Sequence, residues 1–62
     1  MKVLYQNKQV ASGLRSKEEC TAFIAIFCSR ENIHFNSVSF EKKADKEFIR
    51  CGKHEFIVME ER

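Results

Sequence analysis

Apolar residues recur at two different spacings along this chain, and the change from one to the other marks its architecture. From Ser16 to Asn32 (SKEECTAFIAIFCSREN) the spacing is helical. At about 100° per residue, Cys20, Phe23, Ile24, Phe27 and Cys28 fall on one arc, with Lys17, Glu18, Thr21, Ser29 and Arg30 around the rest. Ser16 followed three residues later by Glu19 forms a capping box, and Glu18 adds negative charge where the helix dipole favours it. Ala22 and Ile26 lie off the arc, toward solvent. Asn32 tolerates left-handed backbone, which suits a helix end.

Outside that run the spacing shortens toward strand alternation. Residues 2 to 14 (KVLYQNKQVASGL) hold two short apolar segments around Gln6-Asn7-Lys8, which predicts a hairpin turning at Asn7-Lys8. Gly13 then gives a flexible point before the helix. After a polar and aromatic connection from Asn32 to Ser37 that includes His34 and Phe35, Val38 and Phe40 alternate with Ser37, Ser39 and Glu41. Glu41 to Lys46 is a charged run that makes a solvated turn. Phe48, Ile49 and Cys51 follow, Gly52-Lys53 turns the chain, and Glu55 to Glu60 (EFIVME) reads as the last strand. Residues 42 to 51 also admit a second helix with Gly52 as its C-terminal glycine. Glu60-Glu61-Arg62 reads as a frayed tail.

The pattern therefore predicts an α+β domain, a single helix packed on a small antiparallel sheet in the order ββαβββ. The expected core is Val3, Tyr5, Val10, Cys20, Phe23, Ile24, Phe27, Val38, Phe40, Phe48, Phe56 and Val58. One helix covers one face of such a sheet, yet the last two strands carry large apolar groups on both faces. With Phe40, Phe48, Phe56 and Val58 under the helix, Ile49, Cys51, Ile57 and Met59 line the other side, where the chain supplies no second layer. Contiguous apolar area of that kind marks an interface. Ile49, Ile57 and Met59 are accordingly the expected partner-binding residues, for another protein or for a second copy in a homodimer. Sheet twist and the N-terminal hairpin offer another way to cover them.

Composition narrows this picture. At 62 residues the chain is one small domain, residues 1 to 62 without a linker or repeat. A chain of that length buries only about 60% of its unfolded surface. No apolar stretch approaches a membrane span, and Met1-Lys2 leads into too few apolar residues for a signal peptide, so a cytoplasmic address is expected. The cysteine count of 3 is odd and, without an export signal, points to reduced thiols.

Candidate chemistry is sparse. Cys51 and His54 form a C-x-x-H pair, with Cys28 and His34 as further ligand types, but structural zinc sites pair two such clusters. Cys51 beside Arg50, Lys53 and His54 is the one loosely activated thiol, and no glycine-rich loop accompanies it, since the chain has only Gly13 and Gly52. Neither an enzyme nor a cofactor or metal is therefore expected.

The net charge of +2, from 11 basic and 9 acidic residues, is far from the footprint of a dedicated nucleic-acid binder. Even so, Lys42, Lys43, Lys46, Arg50 and Lys53 gather near Phe40 and Phe48, a composition suited to stacking single-stranded bases. The favoured expectation is a non-enzymatic protein-binding module, an accessory or inhibitor protein of the kind that phages and mobile elements carry. Nucleic-acid binding through those basic residues is the alternative.

Overall fold

The computed structural model describes residues 1–34 and 38–60, so Phe35 and Ser37 of the expected connection and the terminal Glu61-Arg62 lie outside the described residues. The elements run β1 (Lys2–Tyr5), β2 (Lys8–Ala11), α1 (Lys17–Arg30), β3 (Val38–Lys43), β4 (Lys46–Cys51) and β5 (His54–Met59). This is the predicted order, one helix with a five-stranded antiparallel sheet.

Both ends of α1 follow from local chemistry. Ser16 is extended (φ −146°, ψ 166°), and its hydroxyl accepts the Glu19 N–H at 3.2 Å. The Glu19 carboxylate reaches back one residue further than in a simple capping box, accepting the Arg15 N–H at 3.1 Å. At the other end Asn32 turns left-handed (φ 56°), while the Ile33 N–H donates to the Cys28 carbonyl at 2.8 Å and the Asn32 N–H to Ser29 at 3.5 Å. That pairing is a Schellman closure with asparagine in the glycine position, and Ile33 packs back on the core beside it.

Tight turns set the hairpins. The first turns at Gln6-Asn7, both at positive φ (50° and 69°), one residue earlier than the sequence suggested, because Tyr5 pairs with Lys8. Positive φ at both central residues is what a two-residue hairpin with right-handed strand twist requires. Ala44-Asp45 and Gly52-Lys53 close the other hairpins, so residues 42 to 51 form strand and turn rather than a second helix. The hairpins join where β1 pairs with β5, giving the order β2-β1-β5-β4-β3. On β2 the pairing slips between Val3 and Leu4, so that Val10 is an extra residue and both Val10 and Ala11 pack on the core. A regular alternation would turn one of them away.

The core lies between α1 and one sheet face. Cys20, Ile24 and Cys28 from the helix meet Val3, Ile49, Cys51, Phe56 and Val58, all at 3% exposure or less. Phe23, Phe27 and Tyr5 pack at its border. Ile26 points to solvent, as its place off the helical arc predicted.

Four positions depart from expectation. Ile49 pairs with Phe56 and Cys51 with His54, so Ile49 and Cys51 share the helix-covered face and are buried. Phe48 pairs with Ile57 and falls on the opposite face. Phe40 shares a face with Ile49 but remains 63% exposed, because β3 is the sheet edge and only its first residue, Val38, packs against the core.

Candidate functional site

Side chains directly opposite each other in antiparallel strands share a face, so the register alone maps the side of the sheet that α1 leaves open. Three rows cross it. The middle row runs Glu41, Phe48, Ile57, Leu4 and Gln9 from β3 to β2. On one side of it lie Lys43, Lys46, Met59 and Lys2, and on the other Ser39, Arg50 and Glu55. Leu4, Phe48, Ile57 and Met59 thus form one apolar stripe on β1, β5 and β4. Each is half-buried by its neighbours in the sheet, and none belongs to the set that packs on the core beneath α1.

Charge is distributed unevenly about the stripe. In the outer row the Arg50 Nε donates to Glu55 at 2.9 Å, and its Nη1 approaches Glu41 at 3.9 Å. The Glu55 hydrogen bond and charge raise the Arg50 pKa further, so this row is closed on itself. The other row is cationic. Lys43 sits directly opposite Lys46, and Lys46 and Lys2 flank Met59 from either side. Among the described residues only Lys43 of this row has an ion pair, a solvent-exposed one with Glu41 at 3.8 Å. Exposed pairs of that length contribute little.

The thiol and histidine cluster reads as structure. Cys28 of α1 and Cys51 of β4 are both buried in the core cluster between helix and sheet. Burial raises the pKa of Cys20, Cys28 and Cys51, which keeps them protonated and poorly nucleophilic at neutral pH. His54 Nδ1 lies 2.7 Å from the Tyr5 hydroxyl, and the two rings stack at 5.9 Å. Tyr5 in turn packs on Phe27 and Phe56 at 4.9 and 5.0 Å, so His54 caps an aromatic cluster at the end of the core. No group of three or more His, Cys, Asp or Glu side chains among the described residues is placed to hold a metal ion. A groove of about 290 Å³ beside the start of α1 presents lysines and carboxylates together, with Lys17 and Glu47 already paired across it.

Of the residues the sequence nominated, Ile57 and Met59 lie on the open face and Ile49 does not, being 2% exposed beneath α1. The basic set divides. Lys43, Lys46 and Arg50 are on the open face, Lys42 pairs with Glu47 on the helix side, and Lys53 sits in the turn between β4 and β5. Sequence reasoning missed Lys2, Leu4 and Phe48. The signal for the first two was present: with Val3 and Tyr5 assigned to the core, strand alternation turns Lys2 and Leu4 the other way. Among the described residues no helix is long and apolar enough to cross a membrane. Comparison with protein-family models, with curated proteins and with solved structures finds no match.

Proposed function

We propose that this protein is a non-enzymatic protein-binding module whose partner docks on the open face of the sheet. The observation that carries this reading is the stripe of Leu4, Phe48, Ile57 and Met59, large apolar side chains with no second layer over them among the described residues. A small domain gains nothing in its own core from such groups, and contiguous apolar surface edged by charge is what protein interfaces use. An accessory or inhibitor role, as in the small proteins of phages and mobile elements, fits a small chain with such an apolar stripe.

Photo-crosslinking in the source cell tests this. Benzoylphenylalanine replacing Ile57 reports on the open face, and the same group replacing Ile26 reports on the exposed side of α1. Discrete protein adducts from position 57, absent from position 26 and lost when Phe48→Asp is added, are the expected result. Adducts that disappear on nuclease treatment would instead support the nucleic-acid alternative, and equal labelling from both positions would remove the assignment to this face.

A further inference from the structure

We infer that the segment bound on the open face is an acidic amphipathic peptide segment, seated by its apolar side on Leu4, Ile57 and Phe48 with carboxylates along Lys2, Lys46 and Lys43. This rests on the reading of the face as a protein-docking surface and names the chemistry of what docks there.

An electrostatic cost is built into the free protein. Like charges directly opposite in antiparallel strands are destabilising, and Lys43 faces Lys46 in that way. Lys2 extends the same row past Met59, and among the described residues no acidic residue belongs to the row. Local sequence choices that oppose stability are most often found where they serve binding. The row, which includes Met59, sits two residues along the strands from Leu4, Ile57 and Phe48, about 6.6 Å away. A peptide lying on the stripe therefore brings its flanking side chains onto the lysine ammonium groups and excludes water from the contacts. Partial exclusion of water strengthens such pairs over fully exposed ones.

The asymmetry of the face selects this occupant over two others. A second copy is disfavoured: among the described residues the face carries Lys2, Lys43, Lys46 and Arg50 against Glu41 and Glu55, so two such faces meet with excess positive charge on both. A two-fold axis along the strands lays lysine row on lysine row, while one across them lays the lysines over carboxylates that Arg50 already holds. Single-stranded nucleic acid is disfavoured by the stripe itself. Leu4, Ile57 and Met59 have no π-face, and Phe48 is the only aromatic on this face among the described residues, whereas base stacking needs aromatic platforms.

Titration of the isotope-labelled protein, followed by amide and methyl NMR, tests the inference with three probes. These are an amphipathic peptide with a leucine side and a glutamate side, its counterpart with every glutamate replaced by lysine, and single-stranded oligo(dT). The acidic peptide is expected to shift Leu4, Phe48, Ile57 and Met59 and to bind at least about tenfold more tightly than the lysine counterpart. The double variant Lys2→Glu/Lys46→Glu should reverse that order. Without any ligand, Lys46→Glu alone should raise the melting temperature, because it turns a repulsive pair into an attractive one. If the lysine peptide binds this face as well as the acidic one, the charge inference fails while the docking face stands. Tighter binding of oligo(dT) overturns both, and so does an acidic peptide that leaves all four residues unshifted while crosslinks from position 57 are also absent. If those crosslinks are present and neither peptide binds, only the inference is overturned.

Discussion

Replacing Ile49 and Phe48 by alanine, one at a time, tests the register on which every face assignment rests. The two residues are adjacent in β4 and similar in apolar character, but Ile49 is 2% exposed under α1 while Phe48 is half-exposed on the open face. Truncating a buried isoleucine costs about 2–5 kcal/mol, from lost transfer energy and from the cavity left behind. A half-exposed phenylalanine leaves no enclosed cavity, and losing part of its burial costs about 1 kcal/mol. The whole domain, at 62 residues, has a stability of about 3–9 kcal/mol. Ile49→Ala therefore removes a large part of it.

Urea unfolding followed by far-ultraviolet circular dichroism reads the difference. With a denaturant slope of about 1 kcal/mol/M for so small a chain, Ile49→Ala should lower the midpoint by at least about 2 M, against about 1 M for Phe48→Ala. If Ile49→Ala is unfolded in buffer, Ile49→Val, with an expected cost of about 0.5–1.5 kcal/mol, gives a measurable transition. A Phe48→Ala cost equal to or above that of Ile49→Ala would refute the reasoning, since a one-residue slip of β4 exchanges the two faces.

Other consequences follow from single positions. Ala44 is held at φ 52° in the turn between β3 and β4, so Ala44→Gly should raise stability by about 0.5–1 kcal/mol in the same urea assay; a loss would contradict the strained turn. Tyr5→Phe removes the hydroxyl at 2.7 Å from His54 Nδ1 and should cost about 1 kcal/mol, and a neutral result would mean that the pair adds nothing net. Burial raises the thiol pKa of Cys20, Cys28 and Cys51, and Cys28 is raised further by the charge and hydrogen bond of Cys51. Above an unfolded thiol pKa of about 8.5 the unfolded chain then binds fewer protons than the folded one. Stability should accordingly fall as pH rises through that window, by up to about 1.4 kcal/mol per pH unit for each thiol. Urea midpoints unchanged between about pH 8 and pH 9.5 would sink this account.

Much of the fold was legible because it is written in short-range chemistry. Ser16 and Glu19 start the helix, Asn32 ends it, and the helical arc names Cys20, Ile24 and Cys28 as the face that is buried. Even part of the register was available. Once Gly52-Lys53 is taken as a two-residue turn with Cys51 opposite His54, Phe48 must share a face with Ile57, and Ile49 with Phe56. Placing Phe48 and Phe56 together under the helix broke that parity. The charged neighbours on the strands, Lys46, Arg50 and Glu55, mark the Phe48 face as the wet one.

What the chain's own order of residues determined is thus the favoured element sequence, the helix ends and the hairpin parity, while the pairing of β4 with β3 and β5 excluded the second helix that residues 42 to 51 also admitted. Tertiary structure alone decided the rest. Pairing of β1 with β5 joins residues far apart in sequence and brings Leu4 beside Ile57 and Lys2 beside Met59, completing both the apolar stripe and the lysine row. The position of α1 over β1, β5 and β4 leaves Phe40 exposed on the edge strand although its alternation is that of a core residue. Periodicity reports which side of a strand a residue occupies; how far a neighbouring layer reaches across that side depends on long-range packing, which no local pattern encodes.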